Sequence, residues 1–130
     1  MKKMVKVVAA IIENENGEIL CALRTPEMSS PNRWEFPGGK VEPGEDIHTA
    51  LEREINEELS CKIATSEVFC ENVHEYEKYT IQLIAIKAKL TEGNPKTNEH
   101  SKVIWMAREN LESLKWVPAD VPITEMLLNK

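Results

Sequence analysis

Apolar and polar residues change their spacing several times along the chain, and each change marks an element. "VKVVAAII", Val5 to Ile12, is a dense run of apolar, largely β-branched residues and reads as a strand. Asn16-Gly17 is a strong turn signal, and "EILCALR" after it reads as the return strand of a hairpin. Residues 25–33, "TPEMSSPNR", hold two prolines and two serines and predict a loop. "WEF" is a short extended piece stopped by Pro37-Gly38-Gly39. Asp46 suits a helix N-cap, and Ile47, Ala50, Leu51, Ile55 and Leu59 then share one face at helical spacing, which predicts a helix to about Leu59. Residues 61–77 and 78–90 read as strands, as do residues 100–107. A short helix follows at 109–114, and a terminal helix within 118–130, interrupted early by Pro122. Strands mixed with helices predict an α/β sandwich in which a mixed sheet is covered on both faces, a single domain over residues 1–130.

The helix ending at Leu59 carries Glu54, Glu57 and Glu58 at i, i+3 and i+4. Projected at 100° per residue, Glu54 and Glu58 fall at the edge of the apolar arc and Glu57 just beside it, while Glu52 and Asn56 point away. Like charges at i, i+4 cost roughly 0.2–0.5 kcal/mol a pair. Carboxylates in a last turn oppose the helix dipole at about 0.3–1 kcal/mol each. A cation held between them removes both penalties, and hard oxygen ligands in this number suit Mg²⁺ or Mn²⁺. The competing reading is a solvated acidic face.

Bulk properties narrow the partners. The 130 residues are 42% hydrophobic and 29% charged, which excludes a disordered or disulfide-scaffold class. A net charge of −6 disfavours nucleic-acid polymers and anionic membranes, leaving a small anionic substrate brought in with a divalent cation. Cys21, Cys61 and Cys70 are odd in number and lack C-x-x-C spacing, so they read as reduced thiols. The apolar start is interrupted by Lys6 and lacks a small-residue cleavage site, and no run reaches membrane-span length. These features predict a cytoplasmic protein, a monomer or small homo-oligomer.

Gly39-x5-Glu45-x7-Arg53-Glu54-Ile55-x-Glu57-Glu58-x-Ser60-Cys61 resembles the Nudix box, G-x5-E-x7-R-E-U-x-E-E-x-G-U with U aliphatic. The match from Gly39 to Glu58 has no gap. Ser60 stands where the family has Gly, and Cys61 where it has an aliphatic residue. A left-handed cap made by Ser instead of Gly costs on the order of 1 kcal/mol. The preceding "WEFPGGK" resembles the MutT-type branch. The resemblance implies a Nudix fold, an α/β/α sandwich with the box as loop–helix–loop, and hydrolysis of a nucleoside diphosphate linked to a further group. It implies metal ligation by Glu54, Glu57 and Glu58 with the backbone carbonyl of Gly39, supported by Glu45 and by Arg53 through ion pairs. Glu99, in a loop before the strand holding Trp105, matches a MutT-type position that assists the metal. Either Glu54 or Glu99 then activates the water.

The same likeness assigns Arg24 to the substrate phosphates and Asp120 in "VPADVPI" to the base; Lys40, following the paired glycines, is placed to bind phosphate likewise, an exposed strand-end Arg or loop Lys being the competing reading. Where the standard 8-oxo-dGTP enzyme has Asn, the branch hydrolysing CTP and modified deoxycytidine triphosphates has Asp, and "EHSKVIW" also resembles that branch. An ionised Asp only accepts hydrogen bonds, which suits the cytosine amino group, yet 8-oxoguanine also presents donors. Helix N-capping is the other reading of Asp120. Phe36 is the expected stacking residue. The expected activity is conversion of a nucleoside triphosphate to monophosphate and pyrophosphate with Mg²⁺, Mn²⁺ being possible. Alternatives are another diphosphate-linked substrate (ADP-ribose, a dinucleoside polyphosphate, an RNA end) and a non-catalytic nucleotide-binding module.

Overall fold

The computed structural model describes residues 2–129; Met1 and Lys130, the last residue of the expected terminal helix, lie outside them. The elements run β1 (Lys3–Ile12), β2 (Glu18–Leu23), β3 (Trp34–Glu35), β4 (Gly38–Lys40), α1 (Ile47–Leu59), β5 (Lys62–Glu75), β6 (Tyr79–Glu92), β7 (Lys102–Ala107), two 3₁₀ turns (Arg108–Ser113 and Pro118–Asp120) and α2 (Val121–Leu128).

A mixed sheet in the order β4-β1-β6-β5 holds β1 parallel to β6, and an antiparallel sheet in the order β3-β2-β7 stands beside it. The apolar run of β1 explains the layering, because successive side chains point to opposite faces of a sheet. Val8, Ala10 and Ile12 pack toward Leu51, Ile55 and Leu59 of α1. Ala9 and Ile11 pack with Ile123 and Leu127 of α2. A strand buried on both faces needs no polar alternation, and β1 shows none after Lys6. Each fully buried Leu or Ile contributes about 1.5–3 kcal/mol. The α/β/α arrangement therefore follows from two apolar stripes on the helices and one strand buried on both sides.

Three local expectations are corrected. β1 and β2 do not form a ladder: beyond the turn they share one bridge, Glu13 with Ile19, and then separate into different sheets. Asn16-Gly17 does reverse the chain, Gly17 at φ 76° donating its N–H to the Asn14 carbonyl, but burial of both strands directs them to different neighbours, β6 for one and β7 for the other. Gly38–Lys40 does not simply stop the preceding piece; it forms β4 against β1, with Val8 opposite Gly39. A Cβ at Gly38 would collide with the carbonyl oxygen of Val8, so the backbones approach only because that residue has no side chain. Finally, Pro122 sits in the first turn of α2, where its missing N–H breaks no helical bond, so it starts the helix instead of interrupting it.

Candidate active site

The loop before α1 and the helix itself place the acidic residues. Asp46 caps α1 by accepting from the N–H groups of His48 and Thr49. At the other end Ser60 adopts the left-handed conformation, φ 53° and ψ 41°, in the place a glycine would hold at least cost. The loop between β6 and β7 compensates. The N–H of Lys96 donates to the carbonyl of Leu59 at 2.8 Å and that of Asn98 to the carbonyl of Glu58 at 3.3 Å. The Asn98 Nδ2 donates to Ser60 Oγ at 2.6 Å and to the Glu57 carbonyl at 3.3 Å. Donors thus cover the negative end of the helix that its own sequence leaves without a basic residue.

Arg53 organises the box. Its guanidinium grips Glu45 in a fork, Nε to Oε2 at 2.8 Å and a terminal nitrogen to Oε1 at 2.9 Å. It also reaches Glu57 at 3.2 Å, Glu54 at 3.5 Å and the carbonyl of Lys40 at 3.2 Å. Those hydrogen bonds hold the Glu45 carboxyl well below the usual range, at about 2. Arg53 thereby ties Glu45, in the loop before α1, to the helix that carries Glu54 and Glu57.

The three helix carboxylates occupy different environments. Glu57 is exposed, Glu54 half-buried and Glu58 buried. Burial pushes Glu58 up to about 9, with Glu54, Glu35 and Glu99 adding repulsion, against one hydrogen bond from the Gly38 backbone. Its Oε1 is buried without a hydrogen-bond partner. Glu54 is also raised, chiefly by burial and less by Glu57 and Glu99, with Arg53 opposing. Gly39 lies directly against the Glu54 carboxyl, and a Cβ there would overlap it. Glu99, in the exposed loop before β7, is close enough to disfavour charge on Glu54 and Glu58. Among the described residues no three acidic, His or Cys side chains close into a ready cage. The donor set still fits a hard divalent cation. The Glu54 carboxyl lies on the Gly39 backbone, and the buried Glu58 Oε1 has an unused lone pair that a cation would satisfy.

A cleft of about 560 Å³ opens beside the carboxylates, lined in part by Gly39, Lys40, Arg24, Glu58, Phe36 and Asp120. Two expectations change here. The Arg24 guanidinium is already occupied, bonded to Glu35 at 2.7 Å and to the carbonyl and hydroxyl of Ser29 at 2.6 and 3.0 Å. It meets a phosphate only while sharing those partners. The Phe36 ring is 3% exposed and stacked on Trp116 at 4.6 Å, so it has little free face for a base. Tyr76 and Tyr79, 5.4 Å apart by ring centroids and both lining the cleft, supply accessible aromatic surface in its place.

Asp120 lies in the cleft wall, 5% exposed. Its side chain does not cap α2; Oδ2 accepts from the Phe36 N–H at 2.9 Å. Burial is the main reason its carboxyl rises to about 8, with Phe36 lowering it and Glu35 raising it. The N-capping reading is thereby set aside.

Two residues of the cleft were missed in the sequence. Glu35 joins both halves, bonded to Arg24 through Oε1 and to His100 through Oε2 at 2.8 Å. His100 is among three histidines that look scattered along the chain. The available signals were the position of Glu35 beside Pro37-Gly38-Gly39 and of His100 beside Glu99. No spacing rule links residues 35 and 100, so only the tertiary fold could pair them.

The chain matches the NUDIX domain over residues 3–127. It is 36% identical over 126 residues to the CTP pyrophosphohydrolase of Escherichia coli strain K12, covering 97% of this chain and 93% of that protein. It is 31% identical over 129 residues to the 8-oxo-dGTP diphosphatase of Haemophilus influenzae, covering 99% and 95%. Among solved structures, the MutT protein of the Nudix hydrolase family from methicillin-resistant Staphylococcus aureus superposes with a TM-score of 0.79 at 40% identity, covering 99% and 98%.

Proposed function

The chain belongs to the Nudix family and is a Nudix hydrolase, and on that premise we propose that it is a Mg²⁺-dependent nucleoside triphosphate pyrophosphohydrolase. It takes a CTP-like or 8-oxo-dGTP substrate and releases monophosphate and pyrophosphate. The observation that carries the reading is Glu58, a buried carboxyl with an unpartnered oxygen, hemmed in by Glu54 and Glu99. Such a group is costly unless a cation satisfies it. The residues on which the resemblance rests, Glu54, Glu57, Glu58 and Gly39, are the ones that would hold it, with Glu99 assisting; Mn²⁺ would substitute.

A divalent ion bound there supplies charge neutralisation of the phosphates and lowers the pKa of a water. The chain's own residues do the rest. Arg53 fixes the carboxylate array through Glu45, and Lys40 with a shared Arg24 binds phosphate oxygens. Glu54, half-buried beside the Gly39 backbone, accepts the proton of the attacking water. Glu99 is the rival base. The relatives are named for loss of pyrophosphate or diphosphate, which attack at either the α- or the β-phosphorus would give; the likeness to MutT-type enzymes is what assigns the attack to the β-phosphorus.

Asp120 reads the base, one carboxyl oxygen being held by Phe36 and the other left for the nucleotide. Cytosine triphosphates are favoured by the 36% identical CTP pyrophosphohydrolase. The oxidised purine is favoured by the raised Asp120 carboxyl, which when protonated donates as well as accepts. Specificity constants for CTP, dCTP, 5-methyl-dCTP, dGTP and 8-oxo-dGTP, with and without Mg²⁺, test the assignment. No magnesium-dependent release of pyrophosphate from any of them would overturn it. Label from ¹⁸O-water found only in the monophosphate would exclude β-attack.

A further inference from the structure

His100 has the geometry of a strut. Its side chain is 1% exposed. A carboxylate oxygen accepts, so the Nε2–H of His100 donates to Glu35 Oε2 at 2.8 Å, while Nδ1 is buried without a partner. A buried ring with one orphaned nitrogen is an expensive way to fill space, which an apolar side chain would fill without the penalty. The Nε2–Glu35 bond is therefore what distinguishes His100 from packing material. Glu35 is itself fixed, since its other oxygen takes the Arg24 guanidinium at 2.7 Å and Arg24 is held by Ser29.

The neighbours of His100 show what the strut holds. Asn98, two residues earlier, is tied to the end of α1 through the Glu58 carbonyl, the Glu57 carbonyl and Ser60 Oγ. Ser101, one residue later, donates its N–H to the Leu23 carbonyl at 2.9 Å. Glu99 lies between these anchors, and its own side chain is exposed. The exposed carboxylate thus gains a defined place only from the residues on either side of it.

We propose that His100 is a positioning residue: anchored on Glu35, it clamps the loop carrying Glu99 against the end of α1 and so sets where the Glu99 carboxylate stands relative to Glu54 and Glu58. This rests on the reading of the site as a metal-dependent phosphohydrolase. The strut also joins the two halves of the cleft. Glu35 is near enough to act electrostatically on both Glu58 and Asp120, and His100 occupies the oxygen that Arg24 leaves.

The test compares His100→Met, which keeps volume without a donor, with His100→Gln, whose amide N–H₂ can reach Glu35. In the metal-free protein, ¹⁵N relaxation should show the amides of Asn98 and Glu99 gaining mobility in H100M and recovering in H100Q. In the magnesium-loaded enzyme, H100M should lower kcat by about 10–100-fold, the range for residues that orient metal ligands, with little change in KM. H100Q should recover most of that loss. Added to Glu99→Gln, H100M should cost no more than about twofold further, because coupled residues are not additive. A Glu99 amide as rigid in H100M as in wild type, or losses that multiply in the double variant, would overturn the proposal. Absence of any hydrolysis by wild type would instead sink the functional reading, and the relaxation data would still decide whether His100 holds the loop.

Discussion

The Asp120 carboxyl accepts a hydrogen bond from the Phe36 N–H at 2.9 Å, inside the protein and between residues 84 apart in sequence. This contact joins the segment before β4 to the turn before α2 and sets one wall of the cleft. Burial outweighs that single hydrogen bond, and the carboxyl rises from its usual 3.8 to about 8. Between those values the folded protein holds a proton that the unfolded chain has lost. Stability from this group is complete below pH 4 and is lost as pH rises through 8. Asp120→Asn, which can still accept from Phe36, should flatten that part of the profile. Thermal midpoints of both proteins from pH 4 to 9 give the difference curve; parallel profiles would refute the assignment.

Asp120→Asn should also change the ranking of nucleobases. An amide always offers a donor and an acceptor, whereas the carboxyl offers a donor only when protonated. Ratios of kcat/KM for 8-oxo-dGTP against CTP should shift by about 10-fold or more, the worth of one hydrogen bond in a buried site. An unchanged ranking would remove Asp120 from base reading.

Arg53→Lys keeps the charge but loses the fork on Glu45. Lysine is a point donor and cannot span both oxygens at 2.8 and 2.9 Å while also reaching Glu57. Metal affinity, measured by Mn²⁺ titration, should fall about 10–100-fold. Retention of full affinity would mean that the ion pairs are only surface contacts.

Glu58→Gln should separate stability from function. It replaces a buried ionisable group by a neutral one, so the metal-free protein should melt no lower than wild type in a calorimeter at pH 8 or above. Magnesium should then add little to the melting temperature, whereas ligand saturating at about 100 times its dissociation constant adds ~2.7 kcal/mol to an intact site. An equal magnesium-induced shift in both proteins would show that Glu58 is not a ligand.

Ser60→Gly tests how the helix end is stabilised. Relief of the left-handed serine gains about 1 kcal/mol, and loss of the 2.6 Å bond from Asn98 costs about 0.5–1.5 kcal/mol. The two should nearly cancel in urea unfolding. Ser60→Ala keeps the strain and loses the bond, so it should be destabilised by about 1 kcal/mol.

The parts of the molecule legible in the sequence are those governed by local rules. The helical face of α1 and its Asp46 cap follow from spacing and capping chemistry, while the left-handed Ser60 was implied by the glycine that the resembled box carries at that position. The acidic box was legible for the same reason, since Glu54, Glu57 and Glu58 are neighbours on one helix. The hairpin expectation failed because pairing is decided by which faces are buried, and Asn16-Gly17 fixes only the reversal of the chain. The occupied Arg24, the hidden ring of Phe36 and the Glu35–His100 contact were illegible because each depends on residues from separate elements. A side chain's type announces what it can bond, but a competitor for that bond becomes visible only in the fold.

The parallel pairing of β1 with β6 bears on how the protein is made. As the polypeptide emerges from the ribosome, Val7 to Ile12 are synthesised 76 residues before their partners in β6, Val7 pairing with Leu83 and Ile12 with Ala88. At about 5–20 residues per second the edge of β1 waits on the order of several seconds with its backbone N–H and C=O groups unpaired on that side. Chaperone capture and premature self-association during synthesis should therefore centre on β1.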